Sequence, residues 1–286
     1  MKVLIPICIV LTVAACSSPS ADAGVAATDS LANAKDSSGY TLVWSDEFDA
    51  TGAPDTTNWS YENGFVRNHE WQWYQPENAS CADGLLTIEA RRENKPNPDY
   101  VAGSNDWRKS KKNIDYTSAC LHTRGKRQWL YGKFELRAKI DVSKGIWPAW
   151  WALGVSENWP SNGEIDMMEF YRDSLLANIA VGTGTPNKAY WYTTKHPVDS
   201  VWAADFHTWT MDWDSTGIVL SVDNKILNKV SMDSLSNRDG KGYYPFKHPQ
   251  YMLLNMAIGG DNAGDASNTS FPRKFQIDYV RVYQKQ

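Results

Sequence analysis

Residues 159–170, Trp-Pro-Ser-Asn-Gly-Glu-Ile-Asp-Met-Met-Glu-Phe, constrain this chain more than any other stretch. They set Glu164, Asp166 and Glu169 close together among Trp, Ile, Met and Phe. Pro160 and Gly163 punctuate the start, so no helix is expected to run in from upstream. A helix beginning at Glu164 would turn about 100° per residue and point Glu169 roughly 140° away from Glu164. A strand places Glu164 and Asp166 on one face, but strict alternation sends Glu169 to the other. An extra residue at Met167–Met168, a β-bulge, returns Glu169 to the side of Glu164 and Asp166. The stretch therefore predicts a bulged strand with its carboxylates gathered on one face.

Carboxylates crowded on a buried face repel one another and are poorly solvated, so at least one pKa should rise. An ionised carboxylate beside a protonated carboxyl is what a retaining glycosidase needs, with the pair about 5 Å apart. A solvated acidic strand or a metal loop would carry the same charges. A solvated acidic strand would not ordinarily be bracketed by large apolar side chains.

The rest of the chain is written in the same language. Strand patterns occupy 40–44, 85–90, 132–140, 150–155, 164–170, 208–213, 218–222, 252–258 and 275–283, rich in β-branched and aromatic residues. Asp83-Gly84, Asp214-Ser215-Thr216-Gly217 and Asp223-Asn224 mark turns between them. No long helical period competes, which predicts an all-β sandwich or jelly roll. A length of 286 residues suits one large all-β domain or two small ones, and no second domain is needed. The net charge of −4 argues against nucleic acid as a partner. The 14 tryptophans offer flat apolar faces with a polar N–H, suited to the C–H faces of sugars, and about half are expected in the core.

Glu164-Ile165-Asp166-Met167-Met168-Glu169 resembles the signature of glycoside hydrolase family 16 in its bulged, laminarinase-like form. Leu42-Val43-Trp44-Ser45-Asp46-Glu47-Phe48 resembles the family's opening strand. The blocks at 131–138, 145–154, 206–213 and 278–283 resemble its later strands in order and spacing. The resemblance implies a concanavalin A-like β-jelly roll of two curved antiparallel sheets with a concave cleft. It implies Glu164 as nucleophile, Glu169 as general acid and then base, and Asp166 between them, hydrogen-bonded to the nucleophile. It implies no cofactor for the chemistry.

Further site candidates follow from the same resemblance. Asn68-His69-Glu70-Trp71-Gln72-Trp73-Tyr74 is similar to a donor-side segment and nominates Glu70, Trp71 and Trp73. Period two puts the two tryptophans on one face, which is either cleft or core. Trp147 and Trp151 lie in the strand expected beside the signature, with Trp147 as a sugar platform, and Trp159 is expected to wall the cleft. Asn178 opens the segment standing where laminarinase-like members carry Gly-Thr-x-His, and the expected loop at 188–192 brings Trp191. Gly259-Gly260-Asp261-Asn262 replaces a Gly-Gly-Trp. Glu47 and Asp278 match positions sometimes used by a structural calcium (Ca2+) on the convex side. His207 is read as structural.

The implied activity is endo-acting, retaining hydrolysis of internal β-linkages in a polysaccharide, foremost β-1,3/1,4-glucan. The departures at 178–183 and 259–262 keep an alternative open: an internal β-galactoside, as in galactan or the poly-N-acetyllactosamine of mucin O-glycans. A transglycosylase or a surface lectin would use the same scaffold. A monomer is expected.

Met1-Lys2 followed by an apolar run to Ala15 reads as a secretory signal, too short for a span of about 20 residues. Val13-Ala14-Ala15-Cys16 resembles a bacterial lipobox, with Cys16 as the lipidated residue that anchors the chain to a membrane. Ser17 resembles the outer-membrane sorting choice. The expected organisation is signal peptide 1–15, flexible Ser/Ala/Asp-rich tether 16–38 and catalytic domain 39–286. Of the remaining cysteines, Cys8 falls in the signal. Cys81 and Cys120 are either bridged or two small buried thiols.

Overall fold

Alternating burial marks several strands of the larger sheet. Gly132–Lys139 alternates buried and half-buried positions along its whole length, as a strand with one face on a core must. The structure, a computed structural model, describes residues 39–285. The expected signal peptide, Cys16 and the tether lie outside the described residues.

In chain order the strands are β1 (Tyr40–Asp46), β2 (Ser60–Tyr61), β3 (Gln72–Tyr74), β4 (Ala79–Ala82), β5 (Leu85–Pro96), β6 (Asn113–Ser118), β7 (Cys120–His122), β8 (Gly132–Lys139) and β9 (Ile146–Gly154). They continue as β10 (Glu164–Tyr171), β11 (Ser174–Gly182), β12 (Ala189–Pro197), β13 (His207–Asp214), β14 (Gly217–Val222), β15 (Lys225–Ser231), β16 (Gln250–Ile258) and β17 (Arg273–Lys285). Among the described residues, α-helix is confined to single turns, α1 (Trp107–Ser110) and α2 (Gly260–Ala263).

A seven-stranded sheet runs β12-β11-β10-β9-β16-β7-β2. A ten-stranded sheet runs β15-β14-β13-β8-β17-β5-β6-β3, with β1 added on β17 and β4 on β5. This is the all-β, two-sheet jelly-roll architecture the sequence implies. One pairing departs from the antiparallel expectation: β3 runs parallel to β6.

The core lies between the sheets. Ile165, Met167, Met168 and Phe170 of β10 belong to the same buried cluster as Phe134, Leu136, Trp209, Met211, Trp213 and Val280 from the larger sheet. Each such large side chain contributes about 1.5–3 kcal/mol by leaving water. Cys81 and Cys120 are buried free thiols, so of the two alternatives the unbridged one holds.

The strands missed by sequence are informative. β11 reads Ser-Leu-Leu-Ala-Asn-Ile-Ala-Val-Gly and is buried almost throughout, so it carries no period-two signal. The expected loop at 188–192 is instead the start of β12, the edge strand of the seven-stranded sheet. The strand expected at 150–155 begins earlier, at Ile146.

Gly163 sets the entry to β10. Its φ is +74°, and a Cβ there would stand 2.8 Å from both Phe246 and Pro245. Gly163→Ala therefore combines left-handed strain with overpacking, and should lower stability by about 1–3 kcal/mol. A denaturant midpoint unchanged from the parent chain would contradict that account.

Candidate active site

The pairing register shows how β10 presents its acids. Against β9, Glu164 faces Leu153 and Asp166 faces Trp151; the register then slips, and Glu169 faces Ala149. Against β11, Asp166 faces Asn178 and Glu169 faces Leu176, again with a slip between them. The extra residue lies at Met167–Met168, both buried in the core. Glu164, Asp166 and Glu169 consequently share the face that turns away from the core.

That face floors a cleft of about 670 Å³. β9 contributes Trp147, Trp151 and Leu153, and β10 the three acids and Tyr171. β11 adds Asn178, and the edge strand β12 adds Trp191, Thr193 and Lys195. Arg67, Asn68 and Trp159 close it from connecting segments, and Asn262 from α2.

Asp166 and Glu169 are buried at 2% and 7% exposure, while Glu164 is half-buried at the opening. Glu169 accepts hydrogen bonds from Trp147 Nε1 at 2.9 Å and from Asn178 Nδ2 at 2.8 Å. Glu164 Oε2 accepts from Trp159 Nε1 at 2.5 Å. Asp166 hydrogen-bonds both Glu169 and Glu164. The expectation pairs Asp166 with the nucleophile; in the structure it also lies beside Glu169.

Burial is the leading cause that raises all three pKa values. Asp166 is pushed well above the usual carboxylate range by burial and by the neighbouring Glu169 and Glu164 charges. Glu164 is pushed up to about 7 by burial, with the Trp159 N–H pulling the other way. Glu169 is raised by burial against the hydrogen bonds from Asp166, Trp147 and Asn178. The site therefore keeps protons on carboxyls at a pH where free carboxylates have lost them.

Under the cleft floor lies a buried polar network. Trp151 Nε1 donates to Asn255 Oδ1 at 2.7 Å, and Asn255 Nδ2 donates to Tyr74 Oη at 3.1 Å. Tyr74 Oη donates to Glu70 Oε2 at 3.3 Å, and Glu70 also accepts from Gln72 at 2.7 Å and Asn68 at 3.1 Å. Arg67, ion-paired to Glu62, lays its guanidinium 5.1 Å from the Trp151 ring centre.

Several expectations need correction. Glu70 is 2% exposed and does not line the cleft; it supports the floor through Asn68, Gln72 and Tyr74. Trp71 and Trp73 do not line it either. Trp71 packs on Tyr116 with ring centres 5.7 Å apart and fills the space left by Gly259, where a Cβ would come within 2.5 Å of the indole. Trp73 packs edge-on against Phe65 at 5.4 Å. The second glycine of Gly259-Gly260 similarly admits the Asn68 carbonyl.

The calcium expectation does not fit its residues. Glu47 accepts two hydrogen bonds from Arg281, at 2.9 and 2.8 Å, and Asp278 is paired with Arg137. A cation at either carboxylate would sit against a guanidinium, and calcium needs 6–8 oxygens. No cluster of three or more His, Cys, Asp or Glu side chains placed for a metal occurs among the described residues. His207 stacks on Trp202 with ring centres 3.7 Å apart and contacts Asp223, a structural placement.

Trp147, Trp151, Trp159, Asn178 and Trp191 do come together with the three acids. Sequence reading passed over Arg67, Leu153, Tyr171, Thr193 and Lys195, and reached Asn68 and Asn262 only as members of the segments 68–74 and 259–262. Period two supplies some of them: Trp151 leads to Leu153, Glu169 to Tyr171, and Trp191 to Thr193 and Lys195. Arg67 and Asn68 lie in a connecting segment and Asn262 in the single turn α2, where no strand period applies.

Residues 65–281 match the family described as "Glycosyl hydrolases family 16". A beta-glucanase of Rhodothermus marinus is 35% identical over 263 residues, 86% of this chain and 85% of that one. The keratan-sulfate endo-1,4-beta-galactosidase of Sphingobacterium multivorum is 31% identical over 86% of this chain, which spans 55% of that longer protein. A solved structure reported with endo-acting O-glycanases, which prominent members of the human gut microbiota express to initiate mucin breakdown, is 35% identical. It superposes with a TM-score of 0.80 over 87% of this chain and 92% of that one. The bulged acidic strand, the cleft around it and these matches together make the chain a member of glycosyl hydrolase family 16, and so a glycoside hydrolase.

Proposed function

We propose that the protein cleaves internal β-linkages of a glycan chain with retention of anomeric configuration. The observation that carries this is the shared face of Glu164, Asp166 and Glu169 on the floor of an open cleft lined by indole rings. Glu164, at the opening, attacks the anomeric carbon as a carboxylate while Glu169 gives a proton to the leaving oxygen. The covalent glycosyl-enzyme is then hydrolysed by water that Glu169 deprotonates. Burial raises the Glu169 carboxyl, so that it holds a proton to give. Trp147 and Asn178 fix the Glu169 carboxyl, so that little reorganisation is needed at the moment of transfer.

The first substrate reading is β-1,3/1,4-glucan, supported by the beta-glucanase relative. A second reading, an internal β-galactoside of galactan or mucin-type O-glycan, is supported by the galactosidase relative and the O-glycanase structure. The altered wall at Asn178 and at Asn262 supports it too. The test is digestion of mixed-linkage glucan, laminarin, galactan, keratan sulfate and mucin glycoprotein, with products identified by mass and anomeric configuration. Oligosaccharides of retained configuration are expected, and Glu164→Gln should abolish their release. Release of terminal monosaccharides alone, or inverted products, would sink the proposal.

The raised Glu164 pKa also has a stability consequence. Its folded value of about 7 lies above the ordinary 4.5, so between those values the folded chain holds a proton that the unfolded chain has released. Stability contributed by this group is thus present at low pH and falls as pH rises through that window. Glu164→Gln removes the penalty: it should match the parent near pH 4 and exceed it at pH 8, by about 1–3 kcal/mol at most because solvent reaches the group. Thermal melts at the two pH values read the difference directly; an equal offset at both would contradict the assignment.

We also propose that residues 1–15 are removed as a signal, that lipidated Cys16 anchors the chain at the outer membrane, and that 16–38 tethers the domain 39–286 to it. The lipobox-like Val13-Ala14-Ala15-Cys16 supports this. Cys16→Ser should move the protein from the membrane pellet to the soluble fraction and abolish incorporation of labelled fatty acid. Unchanged pelleting and labelling would refute the anchor.

A further inference from the structure

Two tryptophans reach the Glu164 end of the cleft from separate segments. Trp159 comes from the turn before β10 and donates to Glu164. Trp191 comes from β12, in the cross-strand row Leu153–Glu164–Ala180–Trp191. They are 38% and 39% exposed, so each leaves apolar ring surface open to the cleft.

Both segments are tied to Asn237-Arg238, a dipeptide in the connection between β15 and β16. Asn237 is 5% exposed. Its Nδ2 donates to the Ser161 carbonyl at 2.8 Å, two residues from Trp159, and its Oδ1 accepts from the Gly182 N–H at 2.7 Å. Arg238 returns its own N–H to the Gly182 carbonyl at 2.7 Å. The Arg238 guanidinium stands 3.2 Å over the Tyr190 ring centre and donates to Tyr192 Oη at 3.2 Å. Tyr190 and Tyr192 flank Trp191, and strand alternation puts them on the opposite face from it. Arg238 therefore grips β12 from behind, and Trp191 faces the cleft from the front. An edge strand has a hydrogen-bonded sheet neighbour on one side only, so this grip adds to the support that Asn228 gives β12 at the Tyr192 carbonyl.

We propose that Asn237 and Arg238 are positioning residues that set Trp159 and Trp191 as one aromatic lip for the sugar held at Glu164. The sugar-binding part of this rests on the glycanase reading above. Neither residue lines the cleft, so their effect passes through the two indoles. A planar guanidinium can stack and donate at once, which an ammonium cannot reproduce.

The test is a double-mutant cycle between Arg238→Ala and Trp191→Ala, with kcat and KM measured on an oligosaccharide the parent cleaves. Arg238 is exposed, so the substitution should leave the fold intact. Arg238→Ala should raise KM about 3- to 10-fold with kcat within about two-fold. Arg238→Lys should recover part of that loss. In the Trp191→Ala background, Arg238→Ala should change nothing further. Additive effects in the cycle, or an unchanged KM, overturn the proposal. A sugar-free arm separates it from the functional reading. Acrylamide quenching assigned to Trp191, by difference against Trp191→Phe, should rise in Arg238→Ala. Unchanged quenching overturns the positioning claim whether or not any glycan is cleaved, whereas a parent that cleaves nothing in the panel overturns the functional reading alone.

Discussion

The bulge at Met167–Met168 is the constraint on which the site depends. β10 is an interior strand of the seven-stranded sheet, with one face on the core and the other under the cleft. In such a strand a slip of one residue exchanges the two faces. Without the extra residue, Glu169 would point into a core of Trp, Met and Leu side chains, and Phe170 would take its place in the cleft. Burying an unpaired carboxylate there would cost several kcal/mol. The core-facing Ile165, Met167, Met168 and Phe170 thus hold the acids in place as firmly as any contact the acids make themselves.

The gathered acids oppose the fold that gathers them. Three carboxylates in one pocket lose water and repel, and the structure answers with donors instead of cations. Trp147, Asn178 and Trp159 each supply one N–H. Arg67, the nearest guanidinium in the cleft wall, is engaged by Glu62 and by the face of Trp151. A direct ion pair would have kept a glutamate ionised and removed the proton that acid catalysis needs. Neutral donors orient a carboxyl while leaving its proton available. The network beneath, from Trp151 through Asn255 and Tyr74 to Glu70, leaves the floor no unpaired polar group along that path.

The walls follow a different logic from the floor. Floor residues come from β9, β10 and β11, locked by neighbours on both sides. Wall residues come from turns and from the edge strand β12, which need outside support. Gly259 and Gly260 let the segment carrying Asn68 and Trp71 pack closely, and Asn237-Arg238 braces the Trp159 and Trp191 side. Relatives sharing the floor can therefore differ in what they bind, because the walls vary without disturbing the acids.

Sequence alone determined the class of fold and the acids with their common face. Both rest on local periodicity: alternation makes strands, and the spacing from Glu164 to Glu169 demands one extra residue. Tertiary structure decided everything that depends on what a face meets. Trp71 and Trp73 were equally suited to cleft or core, and the choice was made by Gly259, Tyr116 and Phe65, remote in the chain. Glu47 and Asp278 could have met a metal, and instead met Arg281 and Arg137. Strand β11 was invisible because burial on both faces erases alternation. A period reports which residues share a face; only the packing of distant segments determines what covers it.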